Sequence, residues 1–190
     1  AIEEGTVRPG SSGTLLPNTR ARLVDPDTGL DAAPGATGEL WISGPQVMKG
    51  YLENPEATAQ TIDAEGWLHT GDIARIEPDG HTFIVDRLKE LIKVKGFQVA
   101  PAELEALLVT HPAIADAAVI GVQDAEAGEV PMAFIVSPNP PSLAELQAFL
   151  DPQIAHYKQV KRLQVLETIP KSASGKILRR LLRDRLRVDA

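Results

Sequence analysis

The sequence predicts an α+β protein: a β-rich segment, residues 1–85, followed by a small α+β domain, residues 86–190. Short apolar runs separated by turns rich in Gly, Pro and Asp fill the first segment, which is typical of strands. After about Asp86, amphipathic helical stretches alternate with strand-like runs. A chain of 190 residues with 43% hydrophobic residues can also bury a real core.

Three apolar runs of the first segment, ARLVD, GELWISG and HTFIVD, are predicted strands. The Asp-Gly pair in EPDGH has a strand on each side and predicts a hairpin. The stretch NPEATAQTI predicts a short helix, with Asn54 as its N-cap and Pro55 at its first position.

Three helices are predicted in the second segment. PAELEALLVTHP opens with Pro101, and SLAELQAFL carries a capping box formed by Ser142 and Glu145. In the last helix, KILRRLLRDRLR, one side is predicted to be apolar and to contain Leu178, Leu181, Leu182 and Leu186. Between the helices, IADAAVIGV, PMAFIVS and KRLQVLE are predicted strands.

The composition excludes several classes of protein. The chain has no cysteine, which excludes disulfides and thiolate metal sites. No apolar run approaches the roughly 20 residues that a membrane span needs, and the first residues do not have the pattern of a signal peptide. We therefore expect a cytoplasmic protein.

The net charge of −7 is distributed unevenly. Residues 158–187 contain ten Lys and Arg against two acidic residues, a net charge of +8 that leaves −15 on the rest of the chain. A basic end favours an anionic partner, which could be nucleic acid, an anionic membrane or a phosphorylated small molecule. A solvated helix face is an equally good interpretation of this feature alone.

The stretch EGWLHTGDI contains the first candidate site residue, Asp72. An ionised carboxylate offers two acceptor oxygens and could bind a vicinal diol. Taken by itself, an aspartate that caps its own backbone in a turn is the more frequent case.

The stretch DRLKELIKVKGFQVAP brings three lysines together, Lys89, Lys93 and Lys95. Lys93 and Lys95 follow strand alternation and precede Gly96, which would let a ligand or another backbone approach closely. The alternative is a solvent-facing edge strand protected by its lysines.

The stretch IPKSASGKILRR places Lys176 after a turn of small residues, a position suited to a cation delivered to a phosphate. The Gly-x-x-x-x-Gly-Lys-Ser/Thr spacing of a P-loop is absent. A solvated lysine at a helix start is the alternative.

Taken in order, these stretches resemble three consecutive signatures of the acyl-adenylate-forming superfamily, which comprises acyl-CoA synthetases, luciferases and adenylation domains of peptide synthetases. The first signature runs from GELWISGPQVMKGYLENPEAT to WLHTGDI, and the resemblance covers essentially the whole chain. The stretch KELIKVKGFQVAPAELE is most similar to the 4-coumarate–CoA ligase and luciferase branch.

The resemblance implies an ATP-dependent acid–CoA ligase, in which a carboxylate first attacks ATP to form an acyl-adenylate and CoA then displaces AMP. It implies that Asp72 holds the ribose hydroxyls, that Arg87 contacts the ribose or phosphate side, and that Lys176 bridges the α-phosphate and carboxylate oxygens in the first step. Asp86 resembles the hinge about which a mobile C-terminal domain rotates.

For the second step the resemblance implies a different face of the same domain. Lys89 and Lys93 would contact the acyl-adenylate, and Lys93 with Lys176 would be catalytic. Lys95 and Gly96 would bind CoA, and Gln98 would lie on the same face.

The resemblance also implies that further parts of the family's site precede Ala1: the phosphate loop, the acyl pocket, and the acidic residue associated with Mg²⁺. On this view residues 1–85 are part of a distorted barrel in a larger domain, and the chain alone is inactive. The expected substrates are ATP, CoA and a carboxylic acid, with Mg²⁺ bound to ATP.

Two rival functions differ from this one. An adenylating enzyme could load a carrier protein instead of CoA, although the Lys95-Gly96 pair favours CoA. A non-catalytic basic module could bind RNA or membranes, but an aromatic content of 4% offers little for stacking on bases. We therefore expect no nucleic-acid partner, and no oligomeric state is predicted.

Overall fold

The computed structural model describes residues 8–188, with side chains described as far as Leu186. The chain divides into two compact units, Ala1–Lys89 and Glu90–Ala190. We call them unit 1 and unit 2. Asp86, where the sequence predicts the division, lies in the last strand of unit 1.

Unit 1 is built on a four-stranded antiparallel meander in the order β1-β2-β3-β4. Its strands are β1 (Arg20–Val24), β2 (Gly38–Ser43), β3 (Leu68–Ile76) and β4 (Thr82–Arg87). The three strands predicted from apolar runs are confirmed, and β3 and β4 form the hairpin predicted from the Asp-Gly pair.

The single helix described in unit 1, α1 (Pro55–Thr61), lies between β2 and β3 in the chain. The Asn54 side chain accepts a hydrogen bond from the Ala57 amide at 3.0 Å, and Pro55 begins the helix. The predicted cap is confirmed: the amide side chain satisfies one of the first amides of the helix, which have no partner within it.

Unit 2 contains a five-stranded sheet and three helices. A 3-10 turn (Leu88–Glu90) leads into its elements, which in chain order are β5 (Ile92–Val94), β6 (Phe97–Val99), α2 (Pro101–Leu108), β7 (Asp116–Asp124), β8 (Gly128–Val136), α3 (Leu143–Leu150), a second 3-10 turn (His156–Lys158), β9 (Arg162–Val165) and α4 (Arg179–Val188). The long strand β8 pairs antiparallel with β7 and β5, and parallel with β9. The predicted α+β class is confirmed.

Both faces of the β7–β8 pair are buried, which explains its near-continuous apolar sequence. On one face, Val119 and Ile135 pack with Leu104 of α2 and Leu146 of α3. The other face forms a second core in which Leu182 of α4 is fully buried.

The predicted apolar side of the last helix is confirmed for two of its four leucines and wrong for the other two. Leu182 and Leu186 pack on the second core, but Leu178 is 37% exposed and Leu181 is 42% exposed. The helix begins at Arg179, so Leu178 precedes it. Leu182 and Leu186 are four residues apart and define the buried side, which turns Leu181 toward solvent.

No helix within residues 8–188 is long and apolar enough to cross a membrane.

Candidate active site

Two of the predicted site residues face each other in unit 1. Asp72 on β3 and Arg87 on β4 are cross-strand partners, with the Arg87 Nε atom 2.6 Å from the Asp72 Oδ1 atom. The Asp72 side chain is 24% exposed and the Arg87 side chain 48% exposed. The pair is therefore open to a ligand at the end of β4.

Asp72 is placed by a bulge in β3. Along β2 only one residue separates Glu39 from Trp41, whereas their partners on β3, Ile73 and His69, are separated by three residues. Gly71 takes the left-handed conformation that this distortion needs, with φ at +68°. The interpretation of Asp72 as an ordinary turn residue is wrong, because it belongs to this bulged strand.

Glu39, which the sequence analysis missed, holds the bulge. Its side chain is buried, and its Oε1 atom accepts a hydrogen bond from the Gly71 amide at 3.0 Å. Its Oε2 atom accepts another from the Trp41 indole Nε1 at 2.8 Å. A glutamate two residues before a tryptophan in a predicted strand lies on the same face as the indole, and this was the available signal.

Asp86 and Lys89 lie at the end of unit 1. Asp86 is buried, and its Oδ1 atom accepts a hydrogen bond from the Arg87 amide at 2.7 Å. Lys89 is exposed in the 3-10 turn that follows. Their roles as hinge and as contact to the adenylate stay predictions.

The lysine-rich stretch forms the β5–β6 hairpin of unit 2. Lys93 and Gln98 are cross-strand partners, so both side chains lie on one face. Lys95 and Gly96 alone connect the strands, with φ values of +49° and +86°. Two left-handed residues in a row form the two-residue turn that suits the twist of a hairpin.

Two expectations for this stretch are wrong. Lys95 does not continue the alternation of Lys93, because the strand ends at Val94 and Lys95 lies in the turn. The strand is also not an edge strand: β5 lies between β6 and β8, and β6 is at the edge.

The hairpin presents an open, basic surface. Lys93, Lys95 and Gly96 are exposed, and no described atom outside the turn lies within 4 Å of a Cβ placed on Gly96. Glycine is needed there for its backbone conformation, and the space above it is free for a ligand.

The β7–β8 turn and the start of β8 support the β5–β6 hairpin. The Lys95 amide donates to the Ala127 carbonyl at 2.8 Å, and the Lys93 amide donates to the Glu129 Oε2 atom at 3.0 Å. Hydrogen bonds from the Ala127 and Glu126 amides hold the pKa of Asp124 below its ordinary value of 3.8, and the charges of Arg162 and Lys95 act in the same direction. Asp124 is therefore a stable anion beside the lysine turn.

Lys176 lies in a second hairpin, residues 170–178. The Ser172 amide donates to the Lys176 carbonyl at 2.8 Å, and the Gly175 amide donates to the Ser172 carbonyl at 2.9 Å. Lys176 is exposed, and its amide donates to the Ser172 Oγ atom at 3.2 Å. The alternative of a helix-start lysine is wrong, because α4 begins three residues later.

Part of the basic end is used within unit 2 and does not face a ligand. Four of its cations form ion pairs at 2.6 to 2.7 Å: Lys158 with Glu103, Lys171 with Asp116, Arg179 with Glu105, and Arg183 with Glu90. The charge of these four cations is therefore balanced within unit 2, and the basic end as a whole is not a free cationic surface.

The two lysine-bearing hairpins are anchored at opposite ends of β7. Lys171 of the second hairpin pairs with Asp116, the first residue of β7, while the Lys95 amide donates to the Ala127 carbonyl in the turn that follows the last residue of β7, Asp124. At about 3.3 Å per residue, the two ends of β7 lie about 26 Å apart. Lys176 and the Lys95-Gly96 turn are therefore presented on different sides of unit 2.

No group of three or more His, Asp or Glu side chains able to hold a metal ion occurs among residues 8–186.

Comparison with known proteins shows which enzymes this chain is similar to. Residues 103–176 match the family model of the AMP-binding enzyme C-terminal domain, and residues 1–52 match that of the AMP-binding enzyme. The chain is thus homologous to the adenylate-forming enzymes, as the resemblance predicts.

The curated relatives of the chain include 4-coumarate–CoA ligases. It is 55% identical over 188 residues to 4-coumarate–CoA ligase 1 of Solanum tuberosum, covering 98% of this chain and 34% of that protein. It is 56% identical over 182 residues to 4-coumarate–CoA ligase-like 2 of Arabidopsis thaliana, covering 95% of this chain and 32% of that protein. The chain spans about a third of the length of these relatives.

Solved structures of adenylating enzymes share the fold. ATP-bound MatB from Rhodopseudomonas palustris aligns with a TM-score of 0.87 at 33% identity, over 96% of this chain and 37% of that one. The o-succinylbenzoate CoA synthetase of Bacillus subtilis, in complex with its acyl-adenylate intermediate, aligns with a TM-score of 0.80 at 35% identity, over 92% of this chain and 36% of that one.

Proposed function

We propose that this chain is the C-terminal part of an ATP-dependent acid–CoA ligase. The carboxylate oxygen of the acid attacks the α-phosphorus of ATP, and pyrophosphate leaves. The thiol of CoA then attacks the acyl carbon, AMP leaves, and a thioester forms. The 55% identity to 4-coumarate–CoA ligases supports this branch over carrier-protein loading.

The observation that carries the proposal is the placement of the two lysine-bearing hairpins at opposite ends of β7. A rigid unit that presents Lys176 and the Lys95-Gly96 turn on different sides cannot place both at one reaction centre. A reaction in two steps, with unit 2 turning between them, uses each hairpin once. Rotation near Asp86 is the simplest such motion.

In the first step Lys176 supplies positive charge. An exposed ammonium at the end of a hairpin can reach between the α-phosphate and the attacking carboxylate, where negative charge accumulates in the transition state. Asp72 binds the ribose hydroxyls through its carboxylate, and Arg87, paired with it at 2.6 Å, lies on the ribose or phosphate side.

In the second step the β5–β6 hairpin faces the adenylate. Lys93 and Gln98 share one face of it, and Lys93, with Lys89, contacts the acyl-adenylate. Lys95 and Gly96 bind CoA: the ammonium attracts its phosphates, and the open space above Gly96 admits the pantetheine arm. The phosphate loop, the acyl pocket and the Mg²⁺ ligand belong to the remaining length of such an enzyme.

The experiment separates the two half-reactions in the full-length protein. ATP–pyrophosphate exchange, measured over a panel of aromatic and fatty acids, reports adenylation. Thioester formation from a supplied acyl-adenylate and CoA reports the second step. We expect Lys176→Ala to lower exchange by about 100- to 1,000-fold, the usual effect of removing one such charge-stabilising group, and to leave thioester formation intact.

Lys161→Ala is the matched control, because Lys161 is an exposed lysine of the same unit outside both hairpins. The proposal is contradicted if wild type shows no exchange with any acid, or if Lys176→Ala and Lys161→Ala behave alike. Replacing CoA with a carrier protein tests the rival: exclusive loading of the carrier would overturn the choice of CoA.

A further inference from the structure

The Lys176 hairpin is attached to the body of unit 2 by two ion pairs, one within the hairpin and one at the residue that follows it. Before the turn, the Lys171 Nζ atom lies 2.6 Å from the Asp116 Oδ2 atom at the start of β7. After the turn, the first residue of α4, Arg179, pairs with Glu105 of α2. Backbone pairing between Lys171 and Ile177 closes the hairpin itself.

The second attachment is the more buried. The Arg179 side chain is 11% exposed and the Glu105 side chain 13% exposed. One terminal nitrogen of Arg179 donates to both carboxylate oxygens of Glu105, at 2.8 and 2.7 Å. The Arg179 Nε atom donates to the Val119 carbonyl at 3.2 Å, and the Val119 amide donates back to Glu105 at 2.8 Å.

This arrangement joins α2, β7 and α4 at a point three residues after Lys176. A guanidinium that is bound to a carboxylate and to the backbone has few alternative positions. In contrast, the side chain of Lys176 is exposed, and the hydrogen bonds of its turn are local. The position of the turn is therefore set by the residues on either side of it: by these two ion pairs and by Ile177, which packs on the second core.

We infer that Glu105 and Arg179 are positioning residues for Lys176: their ion pair, assisted by Lys171 and Asp116, holds the hairpin at the place from which the lysine reaches the adenylation centre. This inference rests on the proposed function and adds to it the residues that orient the catalytic lysine. By the same reasoning, Glu129 positions the β5–β6 hairpin, because its carboxylate accepts a hydrogen bond from the Lys93 amide.

The test is Glu105→Gln in the full-length protein. Glutamine keeps the size of the side chain but removes the charge that holds Arg179. A displacement of about 1 Å costs about 100-fold in a well-oriented reaction, so we expect the kcat of ATP–pyrophosphate exchange to fall by about that factor. Thioester formation should change by less than about threefold, because the β5–β6 hairpin does not depend on this pair.

Glu103→Gln is the matched control. Glu103 is on the same helix, two residues earlier, and is also bound through both carboxylate oxygens, by Lys158 at 2.7 Å. Lys158 is in the second 3-10 turn, away from the Lys176 hairpin. Glu103→Gln should leave both half-reactions within about threefold of wild type.

A second readout does not depend on activity. The amides of Gly175 and Lys176 donate hydrogen bonds within the turn, so their hydrogen exchange reports its integrity. Exchange in the peptide covering 170–178 should be about tenfold faster in Glu105→Gln and unchanged in Glu103→Gln. Asp116→Asn weakens the more exposed ion pair, in which the Lys171 and Asp116 side chains are 37% and 31% exposed. It should speed hydrogen exchange at 170–178 by a smaller factor than Glu105→Gln. This variant keeps the inference testable if Glu105→Gln does not fold.

The outcomes distinguish a failure of the positioning role from a failure of the proposed function. Equal losses in both half-reactions, or hydrogen exchange at 170–178 as slow as in wild type, would overturn the positioning role while leaving the proposed function intact. If wild type shows no exchange of pyrophosphate, the proposed function fails, and hydrogen exchange alone decides whether the pair holds the hairpin.

Discussion

Replacing Glu39 tests whether a buried carboxylate holds the bulge that carries Asp72. In Glu39→Ala the Gly71 amide and the Trp41 indole N–H lose their acceptor, and leaving a buried donor unsatisfied costs about 1–3 kcal/mol. Removing a buried charge returns part of this cost. We therefore expect the free energy of unfolding of unit 1 to fall by about 2–3 kcal/mol. Glu39→Gln retains one acceptor oxygen and should lose about half as much.

The chain is well suited to this measurement. It has two tryptophans, Trp41 and Trp67, and both lie in unit 1, so that intrinsic fluorescence during urea unfolding follows this unit alone. With a slope of about 1 kcal/mol per molar urea for a unit of this size, the midpoint should shift by about 2–3 M. Glu65→Ala, which replaces an exposed glutamate of the same unit, is the control.

A midpoint for Glu39→Ala within about 0.3 M of the control would refute the reasoning. It would mean that the two donors find other acceptors and that the bulge does not depend on Glu39.

Two further predictions concern unit 2. Gly96→Ala places a side chain at φ +86°, where alanine is strained by about 1–2 kcal/mol but meets no described atom. Thioester formation should fall more than about tenfold while pyrophosphate exchange is retained. Equal losses in the two half-reactions would contradict the assignment of Gly96 to CoA. Hydrogen bonds from the Ser142 hydroxyl and amide hold the pKa of Glu145 below its ordinary value of 4.5. The ionised Glu145 carboxylate therefore contributes its full stabilisation above about pH 4.5, and this contribution is lost as the pH falls through the lowered pKa. Circular dichroism should show a smaller drop in the urea midpoint of Glu145→Gln than of wild type between about pH 6 and pH 3, and identical drops would contradict the assignment.

Local patterns in the sequence were sufficient for most of the elements. The caps at Asn54 and Ser142 are confirmed, and so is the hairpin predicted from Asp79-Gly80. These features depend on residues a few positions apart, whose preferences act in any context. The same holds for the apolar runs that mark β7 and β8.

The errors arose where the outcome depends on residues far along the chain. Whether β5 is an edge strand depends on its pairing with β8, more than thirty residues later. Whether Leu181 is buried depends on which side of α4 meets the second core. Periodicity identifies an apolar side, but packing selects the residues at its margin.

The candidate site shows the same division. The sequence by itself determined which side chains are candidates for the chemistry, since Asp72, Lys93 and Lys176 were predicted from their types and neighbours and from the family they resemble. The tertiary structure decided how they are held. Glu39 on β2 accepts a hydrogen bond from Gly71 on the neighbouring strand β3, and Arg179 pairs with Glu105, 74 positions earlier in the chain. The reason is physical: a residue's preferences are local, whereas a hydrogen bond or an ion pair needs a partner that only folding brings within 3 Å.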